Sequence, residues 1–80
     1  MNLRFIGIDP GTNGGNCPSV WVDDESGDFF FQGWEVSDRV TLSEISSRSP
    51  IAGHERVVRL PARMREVIQE ACSDKAANLQ

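Results

Sequence analysis

Residues 19–36 read SVWVDDESGDFFFQGWEV. Val20 and Val22 alternate with Ser19, Trp21 and Asp23, the two-residue period of a half-buried strand. DESGD, residues 24–28, reads as a hairpin loop in which Gly27 supplies left-handed backbone. FFFQGWEV, residues 29–36, reads as one returning strand. Phe30, Gln32, Trp34 and Val36 then face one way, and Phe29, Phe31, Gly33 and Glu35 the other. Aromatic residues on both faces predict that something covers each face.

The pattern extends outward from this hairpin. LRFIGI, residues 3–8, predicts a preceding strand. PGTNGGNCP, residues 10–18, predicts a loop, because Gly and Asn tolerate positive φ and Pro interrupts a ladder. Further on, Thr41-Leu42-Ser43-Glu44 has the form of a capping box, with Thr41 capping a short helix that Ser46–Pro50 ends. ERVVRL, residues 55–60, predicts a strand, and Pro61 suits the first turn of a helix. In that helix Met64, Val67, Ile68 and Ala71 form an apolar stripe at i, i+3, i+4, i+7. Arg63, Arg65, Glu66, Gln69 and Glu70 form its wet face, with Arg63 relieving the Glu66–Glu70 repulsion. The expected fold is α+β: a small antiparallel sheet of three to four strands with a C-terminal amphipathic helix on one face. Residues 1–73 are expected to form one domain and 74–80 a frayed tail.

Eighty residues suffice for one sheet layer and one helical layer. Net charge is −4, from 12 acidic and 8 basic groups, which argues against direct binding to nucleic acid. An acidic surface suits a basic protein partner. The N-terminus has neither a signal-peptide pattern nor a membrane-length apolar run, and the two cysteines, Cys17 and Cys72, are expected as thiols in a cytoplasmic protein. With no CxxC and a single histidine, His54, a zinc site is not expected.

Several stretches invite a chemical reading. FIGIDPGT, residues 5–12, followed by the hairpin, resembles the first three strands of ribonuclease-H-like folds such as Holliday-junction resolvases, and more distantly the actin-like ATPases. That resemblance implies Asp9 as a first metal ligand. Two-metal cleavage needs further carboxylates converging on the ions, and Glu66 and Glu70 sit on the polar face of the last helix. The competing expectation is that Asp9 closes a strand and bonds to the backbone of the next turn. Gly11, Gly14 and Gly15 are not a Walker loop, since no Lys-Ser/Thr follows. Asp23, Asp24, Glu25 and Asp28 lack calcium-loop spacing and read as a solvated hairpin tip. No catalytic, cofactor-binding or metal-binding residue is assigned.

GGNCPSVWVDDESGDFFFQGWEVSD, with VVRLPARMREVIQEA after it, is similar to small acidic proteins of Streptomyces and related actinobacteria. Gly14, Gly15, Asn16, Cys17 and the Leu60-Pro61 junction carry the likeness. Members of that group are commonly encoded beside WhiJ-type helix-turn-helix regulators, and BldB belongs to the same circle. The resemblance implies a non-enzymatic partner or modulator of a DNA-binding regulator. On residue type, Trp21, Phe31 and Trp34 are the expected partner-binding anchors, with Asp23, Asp24 and Glu25 as an acidic rim. A homodimer is a further way for so small a domain to hide its aromatics.

Overall fold

The computed structural model describes residues 1–11 and 17–73. The expected frayed tail, and Gly14, Gly15 and Asn16 of the family likeness, lie outside the described residues. Strands β1 (Leu3–Ile8), β2 (Ser19–Asp23) and β3 (Phe29–Gln32) form an antiparallel meander in the order β1-β2-β3. Two further strands, β4 (Trp34–Glu35) and β5 (Val58–Arg59), pair antiparallel in a second sheet and flank helix α1 (Arg39–Arg48). A 3-10 turn (Ala62–Met64) then leads into helix α2 (Arg65–Ser73). The architecture is α+β, with a three-stranded sheet, a separate two-stranded one and a C-terminal helix.

The alternation in 19–23 does what its period requires. Val20 and Val22 are fully buried on one face of β2. They meet Met64 and Ala71, also fully buried, with Ile6, Leu60, Val67 and Ile68 packed around them. The apolar stripe of residues 64–71 is therefore the contact surface of the last helix. Gly27 turns the β2–β3 hairpin with φ 83°, as expected.

A bulge interrupts β1. Phe5 lies opposite Trp21 and Gly7 opposite Val20, which leaves Ile6 as the extra residue. Both Ile6 and Gly7 serve the helix-covered side. Ile6 packs on the core, and a Cβ at Gly7 would stand 2.8 Å from a Val67 methyl. That close approach is what lets α2 lie flat on the sheet.

Several expectations are corrected. Residues 29–36 do not form one strand: Gly33 separates β3 from β4, and the two join different sheets. A Cβ at Gly33 would stand 2.8 Å from the Arg59 carbonyl oxygen, so the chain turns here where only glycine fits. Both faces of β3 are exposed, not covered. Asp38, not Thr41, caps α1, and its carboxylate accepts from the Thr41 backbone N–H (3.0 Å) and hydroxyl (2.6 Å). An ionised Asp at the N-terminus is the stronger cap, so the helix begins one turn earlier. The strand expected over 55–60 shrinks to Val58–Arg59, because β4 offers only two residues to pair with.

Gly7→Ala is expected to cost about 1–3 kcal/mol, the usual range for overpacking. Val67→Ala in the same chain should recover part of that loss, although it is destabilising by itself. Urea denaturation of the two single variants and the double variant checks this.

Candidate functional site

With α2 on one face of the meander, the other face carries Leu3, Phe5 and Ile8 from β1, Trp21 from β2 and Phe30 from β3. Phe5, Trp21 and Phe30 lie directly opposite one another across the three strands. Phe5 is 50% exposed, and Leu3, Ile8 and Phe30 are exposed beside it. No described element packs over this row.

Hydrogen bonds hold Trp21 in place. The Trp21 indole N–H donates to the Ser19 hydroxyl (2.9 Å), which donates to Gln32 Oε1 (2.7 Å). Ser19 is buried beneath this chain of contacts. The Trp21 and Phe5 rings meet edge to face, with centroids 5.1 Å apart. Such a pair adds about 0.5–1.5 kcal/mol beyond its buried area.

The expected site residues do not form one patch. Trp21 is half-buried at the centre of the open face. Phe31 points to the opposite, helix-bearing side, beyond the reach of α2, where its ring sits 6.3 Å from that of Phe29. Trp34 belongs to β4 in the second sheet, with the Arg59 guanidinium 5.1 Å above its ring. Phe5, Phe30, Leu3 and Ile8 share the open face with Trp21. The register-independent signal for them was the i, i+2 spacing of Leu3 and Phe5, which the bulge then breaks before Ile8.

The expected acidic rim is largely engaged within the chain. The buried Asp23 carboxylate accepts from the backbone N–H groups of Asn2 and Glu25 (3.0 Å each) and from the Ser26 hydroxyl (3.0 Å). The Asn2 and Glu25 bonds, foremost among its contacts, hold its pKa below the ordinary 3.8. Asp24 pairs with Arg4 at 2.9 Å, and Glu25 with the N-terminal ammonium at 2.8 Å. The surplus charge is nonetheless concentrated here. Residues 1–33 carry five carboxylates against one arginine, whereas 34–80 carry seven against seven.

Asp9 has a different role from the one the GIDPG turn suggests. Its side chain is fully buried, and Arg63 clasps both oxygens, Nε to Oδ1 at 2.6 Å and Nη2 to Oδ2 at 2.7 Å. The Gly11 backbone N–H also donates to Oδ1 at 2.8 Å, as the strand-closing reading expects. The Asp9 hydrogen bonds raise the Arg63 pKa further above its ordinary value. A metal ion at Asp9 would have to displace this guanidinium. Arg63 is thus committed to Asp9, not to relieving Glu66 and Glu70 as expected. Among the described residues no three His, Cys, Asp or Glu side chains are grouped to hold a metal. Cys17 and Cys72 are not joined by a disulfide. No helix among the described residues is long and apolar enough to cross a membrane.

No protein-family model matches this chain, and no curated protein or solved structure matches it significantly.

Because the folded-state pKa of Asp23 is depressed, its contribution is complete above the ordinary 3.8 and is lost as pH falls through the lower folded value. Urea midpoints should therefore fall on acidification below about pH 4, and Asp23→Asn should flatten that fall. Separately, Arg63→Met should lower the midpoint at pH 7 more than Asp9→Asn. The first strands a buried carboxylate, whereas the second leaves a half-exposed guanidinium that water can solvate.

Proposed function

We propose that this chain is a non-enzymatic protein–protein interaction module that acts in the cytoplasm through the open face of its sheet. The supporting observation is the row Phe5–Trp21–Phe30, flanked by Leu3 and Ile8, which no described element covers and in which Trp21 is held by its Ser19 hydrogen bond and its edge contact with Phe5. A contiguous apolar patch of this kind on a small domain marks an interaction site. Its aromatic anchors are the residue types that dominate binding energy.

The charge distribution supports the choice of partner. Negative charge gathered on the sheet lobe attracts a basic surface and disfavours direct contact with nucleic acid. A helix-turn-helix regulator presents such a basic surface, and the likeness to actinobacterial proteins encoded beside such regulators leads to the same partner class. Binding would cover the regulator's DNA-contacting surface or alter its assembly.

The test is tagged recovery of the full chain from its native host, followed by mass spectrometry. A helix-turn-helix regulator is expected in stoichiometric amount from the wild-type chain and at a tenth or less from Phe5→Asp, roughly the loss of one central anchor. The far-ultraviolet circular dichroism of Phe5→Asp should be unchanged, because half of that side chain is already in water. Recovery of nucleic acid or a nucleic-acid-processing complex without a regulator would overturn the reading. So would equal recovery from both chains.

A further inference from the structure

The free edge of β3 goes beyond the reading above and does not depend on it. β3 is the last strand in the order β1-β2-β3, and no described strand pairs with its outer side. All four of its residues, Phe29, Phe30, Phe31 and Gln32, are exposed, and none is charged. Edge strands in monomeric proteins are ordinarily protected by charge, proline or a bulge. The opposite edge has such protection, since β1 carries Arg4 and the bulge between Phe5 and Gly7.

The register shows which backbone groups are available. The Asp23 N–H donates to the Asp28 carbonyl at 2.9 Å, so that opposed pair is hydrogen-bonded. Antiparallel pairs alternate, so Trp21–Phe30 and Ser19–Gln32 are bonded and Val22–Phe29 and Val20–Phe31 are not. Phe29 and Phe31 therefore turn their N–H and C=O groups outward, away from β2.

We propose that a second copy of this chain pairs antiparallel along β3 and makes a two-fold symmetric, continuous sheet. Of the registers that pair outward groups, one keeps both bonded pairs within β3: Phe29 exchanges hydrogen bonds with Phe31 of the second copy, and the two Phe30 residues face each other on the two-fold axis. The contact is isologous, as expected for a closed dimer. Net charge −4 opposes self-association in general, so a second copy fits only where the acids stand aside. β3 is where they do, and in this register Asp28 lies opposite the Gln32 amide of the second copy, not opposite another carboxylate. Aromatic side chains meet on both faces of the join, and such cross-strand pairs stabilise a sheet. The rings of Phe29 and Phe31, left bare beside α2, gain neighbours.

The proposal is tested on the full chain by sedimentation and by cross-linking. The wild-type chain should sediment as a dimer that dissociates on dilution. Phe30→Lys, which sets two ammonium groups face to face, should weaken dimerisation at least about tenfold, while Phe5→Lys on the far strand should not. With Cys17 and Cys72 replaced by serine, Phe30→Cys should cross-link on mild oxidation. Opposed non-bonded residues stand about 4.5 Å apart at Cα, within disulfide reach. Phe5→Cys in the same background should not cross-link. The cross-linking readout adds no charge to the strand and so stands apart from the lysine variants. A wild-type monomer at all concentrations would overturn the proposal, as would a dimer that Phe5→Lys breaks and Phe30→Lys spares. A dimer that both lysine variants break, with cross-linking through Phe5→Cys, would place the contact on the open face and likewise overturn it.

Discussion

The structure rests on one contact: the stripe from Met64 to Ala71 against Val20 and Val22. A three-stranded meander has no stability of its own without a covered face, and a nine-residue helix is equally marginal in water. Each makes the other possible. Two features let the surfaces meet. Gly7 removes a side chain where Val67 presses on β1. At the end of the same strand, Arg63 clasps Asp9 across 54 residues of sequence and fixes where the helical segment starts. The pair aligns the packing more than it supplies energy, since burying a carboxylate offsets much of the attraction.

The shape of that core dictates the rest of the surface. One short helix can cover only one face of the sheet, and only part of that face. Phe29 and Phe31 lie on the covered side but at its margin, and remain exposed. The other face, with Phe5, Trp21 and Phe30, has no described cover. The segment from β4 to β5 adds little to the core, as α1 contains no buried residue and the second sheet is two residues wide. The aromatic content of the chain is therefore spent mostly on surface, unusual for a domain with so few fully buried residues. That imbalance supports reading the chain as one that works against other proteins.

Much of this was legible from residue order. The strands at 3–8 and 19–23, the Gly27 turn and the helical stripe followed from local period and turn chemistry, and each is in place. The misplaced features share a cause. Gly33 splits residues 29–36 because a carbonyl from residue 59 approaches it, and no local pattern reports a neighbour so distant. Trp34 was assigned with Trp21 on residue type, but the split sends it to another sheet. Asp23, Asp24 and Glu25 looked like a solvated rim because acidic residues at a hairpin tip usually are. Their partners, Asn2, Arg4 and the N-terminus, come from the start of the chain.

Local physics thus determined which segments extend, turn or coil, and which face of the last helix is apolar, because periodicity and backbone preference act over a few residues. Sequence also set the acidic balance and its confinement to residues 1–33. Only the tertiary structure decided which aromatics share a face and that Asp9 meets Arg63. It also decided which strand edge is left bare. Those outcomes depend on register, on one bulged residue and on how far a short helix reaches across a sheet, and each is a property of segments brought together.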